Sequence, residues 1–172
     1  MANDNASIAG AWVLDLSRSG TFEEYLRCLG TPEVAIAHQL AGEQAYQSRN
    51  VIALDESRLV VHKDTAVNCY TERFLLDQEQ VSRTRSGEGL KQAMASLGND
   101  NSLDGYVVVT TTNMPVGRQN LETVEARQLI DGGRAHIQKI NVRKVETGEH
   151  VVVMRTWVRV PMTQDDHMRL HA

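Results

Sequence analysis

The sequence predicts an all-β protein, an antiparallel up-and-down barrel with a short helix-turn-helix after the first strand. Three observations predict it. Short β-branched and aromatic runs recur along the chain, separated by tight-turn residues. Helical spacing is confined to a segment close to the N-terminus. The 172-residue length fits one domain with one core. A long meander leaves two open edges, and closure into a barrel removes them.

The first strand is Ala11-Trp12-Val13-Leu14-Asp15-Leu16, with Trp12, Leu14 and Leu16 on one face. Thr21-Phe22-Glu23-Glu24 has the spacing of a capping box. Phe22, Tyr25, Leu26 and Leu29 follow as one apolar stripe, and Gly30 suits the helix end. This helix is too short to stand alone and must lie on something. Thr31, Pro32 and Glu33 open a second helix, with Val34, Ala37 and Ala41 on one side, Ile36 and Leu40 beside them, and Gly42 at its end.

Strand signals then dominate. Val51-Ile52-Ala53-Leu54, Leu59-Val60-Val61-His62 and residues 66–76 form consecutive strands. Residues 89–97 read as a helix inside an insert spanning 86–104. Residues 106–112 are the strongest strand by propensity, and residues 113–119 read as a loop. Asp131-Gly132-Gly133 is a hairpin turn between strands 120–130 and 134–145. Apolar parity switches in the latter, predicting a bulge near Gln138-Lys139. The last strand runs from His150 to Val160, and Pro161 stops it. Residues 1–161 thus read as one barrel domain, with helices over 21–42, and residues 162–172 as a flexible polar tail.

Composition excludes several functions. The net charge of −4 and the 5% aromatic content argue against nucleic-acid binding. No apolar run reaches the roughly 20 residues that cross a bilayer, so stable membrane insertion is not expected. The polar N-terminus lacks a leader pattern, and two cysteines make no disulfide framework, so a cytoplasmic location is expected. No phosphate loop, nucleophile elbow or HExxH is present. Of the six histidines only His167 and His171 sit four apart, in the tail. Cys28 and Cys69 form no CxxC. The expectation is no catalytic residue, no metal and no cofactor. The last strand is the most suggestive element. If Val151, Val153, Arg155, Trp157 and Arg159 face inward, a buried guanidinium needs an anion, and a ligand carboxylate would supply one. If Val152, Met154 and Val158 face inward, Arg155 is solvated; the pattern alone leaves both open.

Two of these segments resemble a known family. Gly10-Ala11-Trp12-Val13-Leu14, followed by Phe22-Glu23-Glu24-Tyr25-Leu26-Arg27-Cys28-Leu29-Gly30, is similar to the N-terminal signature of the intracellular fatty-acid-binding and retinoid-binding proteins, calycin-type barrels. Leu40-Ala41-Gly42 is similar to the end of that family's second helix. Arg155-Thr156-Trp157-Val158-Arg159 resembles its C-terminal Arg-x-Tyr-x-Arg, with tryptophan in place of tyrosine. The spacer from Asp15 to Thr21 is longer than the family's, and further length falls at 86–104, at 113–119 and in the tail.

The resemblance implies a barrel of roughly ten strands with the two helices as a lid. It implies non-covalent binding, and transport or storage, of a long-chain fatty acid or similar hydrophobic ligand in the lumen. The head group would meet Arg155 and Trp157, with Arg143 near the family's other inward arginine. Phe22, Tyr25, Leu26 and Leu29 would anchor the first helix, Val34 and Ile36 would form the portal rim, and a monomer is favoured. The rival is a scaffold module whose lumen is filled by side chains; a third reading is an enzyme on a small apolar substrate.

Overall fold

The computed structural model describes residues 7–84, 89–99 and 106–172. The first six residues, on which the leader reading rests, lie outside them, as does part of the 86–104 insert.

Ten strands form one antiparallel sheet: β1 (Gly10–Asp15), β2 (Arg49–Leu54), β3 (Arg58–Asp64), β4 (Cys69–Leu75), β5 (Gln80–Arg83), β6 (Leu90–Asn99), β7 (Tyr106–Val116), β8 (Gln119–Ile130), β9 (Ala135–Lys144) and β10 (His150–Val160). Each strand pairs with its sequence neighbour, with one addition and one exception. β1 pairs with β10, which wraps the meander round. β4 and β5 form no ladder with each other; among the described residues a single bridge, Leu76 to Ala95, joins the two sides. The predicted barrel is therefore present and nearly closed.

Two helices, α1 (Glu23–Cys28) and α2 (Glu33–Ala45), interrupt the meander after a 3₁₀ turn at Leu16–Arg18. Both are displaced from the predicted bounds. α1 starts one residue late, so Thr21 only accepts from the Glu23 amide at 3.4 Å, and Glu24 pairs with Arg27 instead of closing a capping box. α2 continues through Gly42 to Ala45.

Four further expectations are corrected. Residues 89–97 are not a helix: Leu90–Asn99 is strand β6, paired with β7 in unbroken register. Ala93 and Ala95 face the core there, where small side chains leave room for the opposite wall. β7 runs through Pro115 to Val116, so 113–119 is a tight turn at Gly117-Arg118 rather than a loop. β9 has no bulge and pairs in constant register with β8 and β10. Its apolar parity breaks because two of its inward residues, His136 and Gln138, are polar. Residues 162–172 are not a loose tail: Gln164–His171 is helix α3, opened by a capping box between Thr163 and Asp166. Asp166 and Leu170 are buried, and Arg49 pairs with Asp166.

The core divides the barrel. Trp12, Leu14, Ile52, Leu59, Val61, Phe74 and Trp157 fill one part. Leu121, Ile140, Val142 and Val153 form a second cluster, on which Phe22, Tyr25 and Leu29 of the lid pack. Arg159 seals the end beside Trp12. Its guanidinium stacks on the indole at 4.2 Å and donates to the carbonyls of Ser7, Ala9 and Gly133.

Candidate functional site

Parity in β10 is decided by the structure. Val153, Arg155 and Trp157 are buried, whereas Val152 and Met154 lie on the exposed face. The guanidinium therefore points into the barrel, toward a cavity of about 260 Å³ under the lid. Its apolar wall includes Phe22, Leu26, Leu40, Ile140 and Trp157. Its polar wall includes Glu43, Lys63, Glu125, Gln138 and Arg155.

Arg155 is the best-held of these groups. Nη1 donates to the Gly20 carbonyl at 2.6 Å, and the Phe22 ring covers the guanidinium carbon at 4.2 Å. The Glu43 carboxylate pairs with Nη2 and lies 3.4 Å from Nη1. Nε is buried without a partner. Burial pulls the guanidinium down to about 10, which leaves it a full cation at neutral pH.

Deeper in, charges form a network. Lys63 faces Glu72 at 3.4 Å and Glu125 at 3.7 Å, and Lys91 reaches Glu72 at 3.4 Å. Arg127 pairs with Glu125 at 3.1 Å, while its Nε and Nη2 are buried with no partner. Burial opposes charge on Glu125, but Lys63, Arg127 and Gln138 more than offset it and hold the carboxyl down at about 2. Burial likewise opposes charge on Lys63, and Glu125 and Glu72 raise it above the ordinary lysine range. Trp157 donates its indole N–H to Gln138 Oε1 at 2.9 Å. His136, wholly buried, meets Trp12 edge-on with ring centroids 4.5 Å apart; burial, with Arg127 and Arg159 nearby, keeps it neutral.

The predicted site residues divide accordingly. Arg155 and Trp157 are brought together, and Phe22, Tyr25 and Leu26 line the cavity. Leu29 packs on the second core cluster instead. Arg143 is corrected: its parity on β9 turns it outward, where it is exposed and bonds Glu122 at 3.2 Å. Ile36 is corrected too, since it is buried away from the cavity; Val34 is 84% exposed. Gln39, Leu40 and Glu43 are the α2 residues at the cavity. Sequence reading missed Glu43, Lys63, Glu125, Arg127 and Gln138. The predicted helix end at Gly42 hid the one available signal: a glutamate in the last turn of a helix, where Glu43 in fact lies, opposes the macrodipole and needs a cation. Cys28 and Cys69 are free thiols. Among the described residues no cluster of three His, Cys, Asp or Glu side chains could hold a metal ion, and no helix is long and apolar enough to cross a membrane.

Comparison with solved structures sets this barrel in context. One neighbour is described as the REP1-NXSQ fatty acid transporter, at TM-score 0.59 and 20% identity, covering 90% of this chain and 97% of that one. Another is apo lipid binding protein 8 of Caenorhabditis elegans, at TM-score 0.62 and 15% identity, covering 88% of this chain and 94% of that one. The fold is a fatty-acid-binding-protein-like barrel. At the sequence level no family model and no curated protein matches the chain.

Proposed function

We propose that the protein binds one amphipathic lipid, a fatty acid or close analogue, in its barrel and carries or stores it without a covalent step. The observation that carries this reading is the cavity: apolar walls from Phe22, Leu40, Ile140 and Trp157 enclose a buried cation, Arg155. Each methylene moved from water into such a wall contributes about 0.8 kcal/mol, and a buried guanidinium gives a carboxylate a paired partner. A fatty acid transporter and a lipid binding protein among the structural neighbours add to it. Arg155 and Trp157 form the head-group end, and Phe22, Tyr25, Leu26 and Val34 the lid side. The binding unit is a monomer in the cytoplasm.

The test is calorimetric titration of delipidated protein with fatty acids of increasing chain length, beside native mass spectrometry of gently purified protein. One ligand per chain is expected. Absence of uptake for every chain length, with no co-purified lipid, would sink the proposal.

One observation favours the scaffold reading: the lumen charges are largely paired with one another, and part of the barrel is packed solid. A protein of that kind would take up no lipid in the same titration.

A further inference from the structure

We propose that Glu43 is an internal stand-in for a ligand's anionic head group. It holds Arg155 until a lipid carboxylate displaces it, and so sets the choice between anionic and neutral lipids. This rests on the lipid-binding reading above and deepens it.

The geometry is that of a carboxylate gripped by a guanidinium. Both Glu43 oxygens face the two terminal nitrogens of Arg155, the arrangement a lipid carboxylate would adopt. The arginine side chain is 2% exposed and the glutamate 16%, so little water competes. The remaining contacts, the Gly20 carbonyl and the Phe22 ring, do not supply a negative charge. Only Nε, a single donor, is open on this cation, so an arriving carboxylate can grip the two terminal nitrogens only when Glu43 leaves. A neutral head group can enter with the pair intact.

Glu43 is free to leave in one direction. It lies in the last turn of α2, where the helix dipole disfavours an anion and Arg155 offsets the cost. Its neighbours Gln44 and Ala45 are exposed, so an outward swing takes the carboxylate to water. The pair is also a partition. Glu43, Leu40 and Arg155 line the 260 Å³ cavity and, on the other side, a second pocket of about 290 Å³ bounded by Leu16, Ser19, Gly20, Thr21 and Ala41. Ligand sites run about 300–1,000 Å³, and each space alone lies only at the lower edge of that range. Opening the pair joins them. Displacement of Glu43 would thus release Arg155 and enlarge the site in one movement.

The experiment compares decanoic acid with decanol by calorimetry, for the wild type, Glu43→Gln, Glu43→Asp and the double variant Glu43→Gln/Arg155→Gln. Removing the competing charge should raise the acid-over-alcohol affinity ratio about tenfold or more, while decanol affinity stays nearly constant. Glu43→Asp, which keeps the charge but shortens the reach, should raise the ratio less, and it serves if Glu43→Gln does not fold. The double variant should lose the gain. An unchanged or lowered ratio in the single variants overturns the proposal and leaves lipid binding standing. Failure of every protein to bind either lipid overturns both.

Discussion

Trp157 on β10 and Gln138 on β9 are diagonal neighbours, Trp157 lying opposite His136 and Gln138 opposite Arg155, and a 2.9 Å hydrogen bond from the indole N–H to the amide oxygen joins them. The tryptophan therefore faces the lumen with its only donor already committed. Gln138 passes the link on, donating its amide to Glu125 at 3.2 Å. Trp157→Phe would leave a buried acceptor unsatisfied and open a small void. We expect a loss of about 2–4 kcal/mol in urea unfolding. Arg143→Ala, which breaks only a solvated pair with Glu122, should cost under about 1 kcal/mol. Equal losses for the two would refute the burial argument.

Glu125 predicts the acid behaviour of the barrel. Its folded pKa, about 2, lies below the unfolded value near 4.3. The unfolded state then binds the proton more readily. The stabilisation is complete above about pH 5 and is lost as the pH falls toward 2. It is on the order of 3 kcal/mol. Glu125→Gln should lower stability at pH 7, because Lys63 and Arg127 lose their shared partner, and should flatten the slope between pH 5 and 2. An unaltered slope in the variant would assign the acid sensitivity elsewhere.

The legible parts of the sequence were those where propensity and burial agree. Strands 106–112 and 150–160 are β-branched, and both form. β6 was illegible because Leu90, Lys91, Gln92, Ala93, Met94 and Ala95 are good helix formers. Ladder bonds to β7 override that preference. The lumen was illegible for a related reason. On β8 the parity that takes Leu121 into the core also takes Thr123, Glu125 and Arg127 toward the lumen, while the other parity carries Val124 and a buried Ala126, so an apolar-in rule cannot choose the side. Arg155 and Trp157 were found because a sequence resemblance carried them. Glu43 lay outside that resemblance, and helical spacing grouped Val34, Ala37 and Ala41, which are all exposed, with Ile36, which is buried, and Leu40, which lines the cavity, beside them.

Gly10 explains why the first strand opens on glycine. Its φ is +143°, and a Cβ there would lie 2.6 Å from Arg159 Nη1, the nitrogen that donates to the Ala9 carbonyl. Gly10→Ala must both strain the backbone and push the guanidinium off Trp12. Gly30 has φ +77° with open space around it, so Gly30→Ala carries backbone strain alone. We expect about 1 kcal/mol for Gly30→Ala and at least twice that for Gly10→Ala, read from thermal or urea unfolding. A smaller loss at Gly10 would mean that Arg159 does not hold the barrel end.

α3 should behave as a separately releasable unit. Its capping box and its hold on the barrel meet in one carboxylate: Asp166 accepts from the Thr163 amide at 2.8 Å and pairs with Arg49. Burial opposes its charge, yet Arg49 and Thr163 hold it down at about 2, against about 3.9 unfolded. That contribution is full above about pH 5 and is lost as the pH falls toward 2. His62 adds an earlier step. Its Nε2 accepts from Arg169 Nη1 at 3.1 Å, and burial and Arg169 hold its pKa below 6.5. Its contribution is therefore full above pH 6.5 and declines as it protonates, since an imidazolium repels Arg169. Hydrogen exchange at residues 164–171 should accelerate as the pH drops below 6.5, after correction for the intrinsic rate, while β9 and β10 stay protected. Asp166→Asn should produce the same local opening at pH 7, with a loss of roughly 1–3 kcal/mol. Arg169→Ala, at a side chain 39% exposed, should shift it far less. Simultaneous opening of α3 and the central strands would show that the helix is part of the barrel's single cooperative unit.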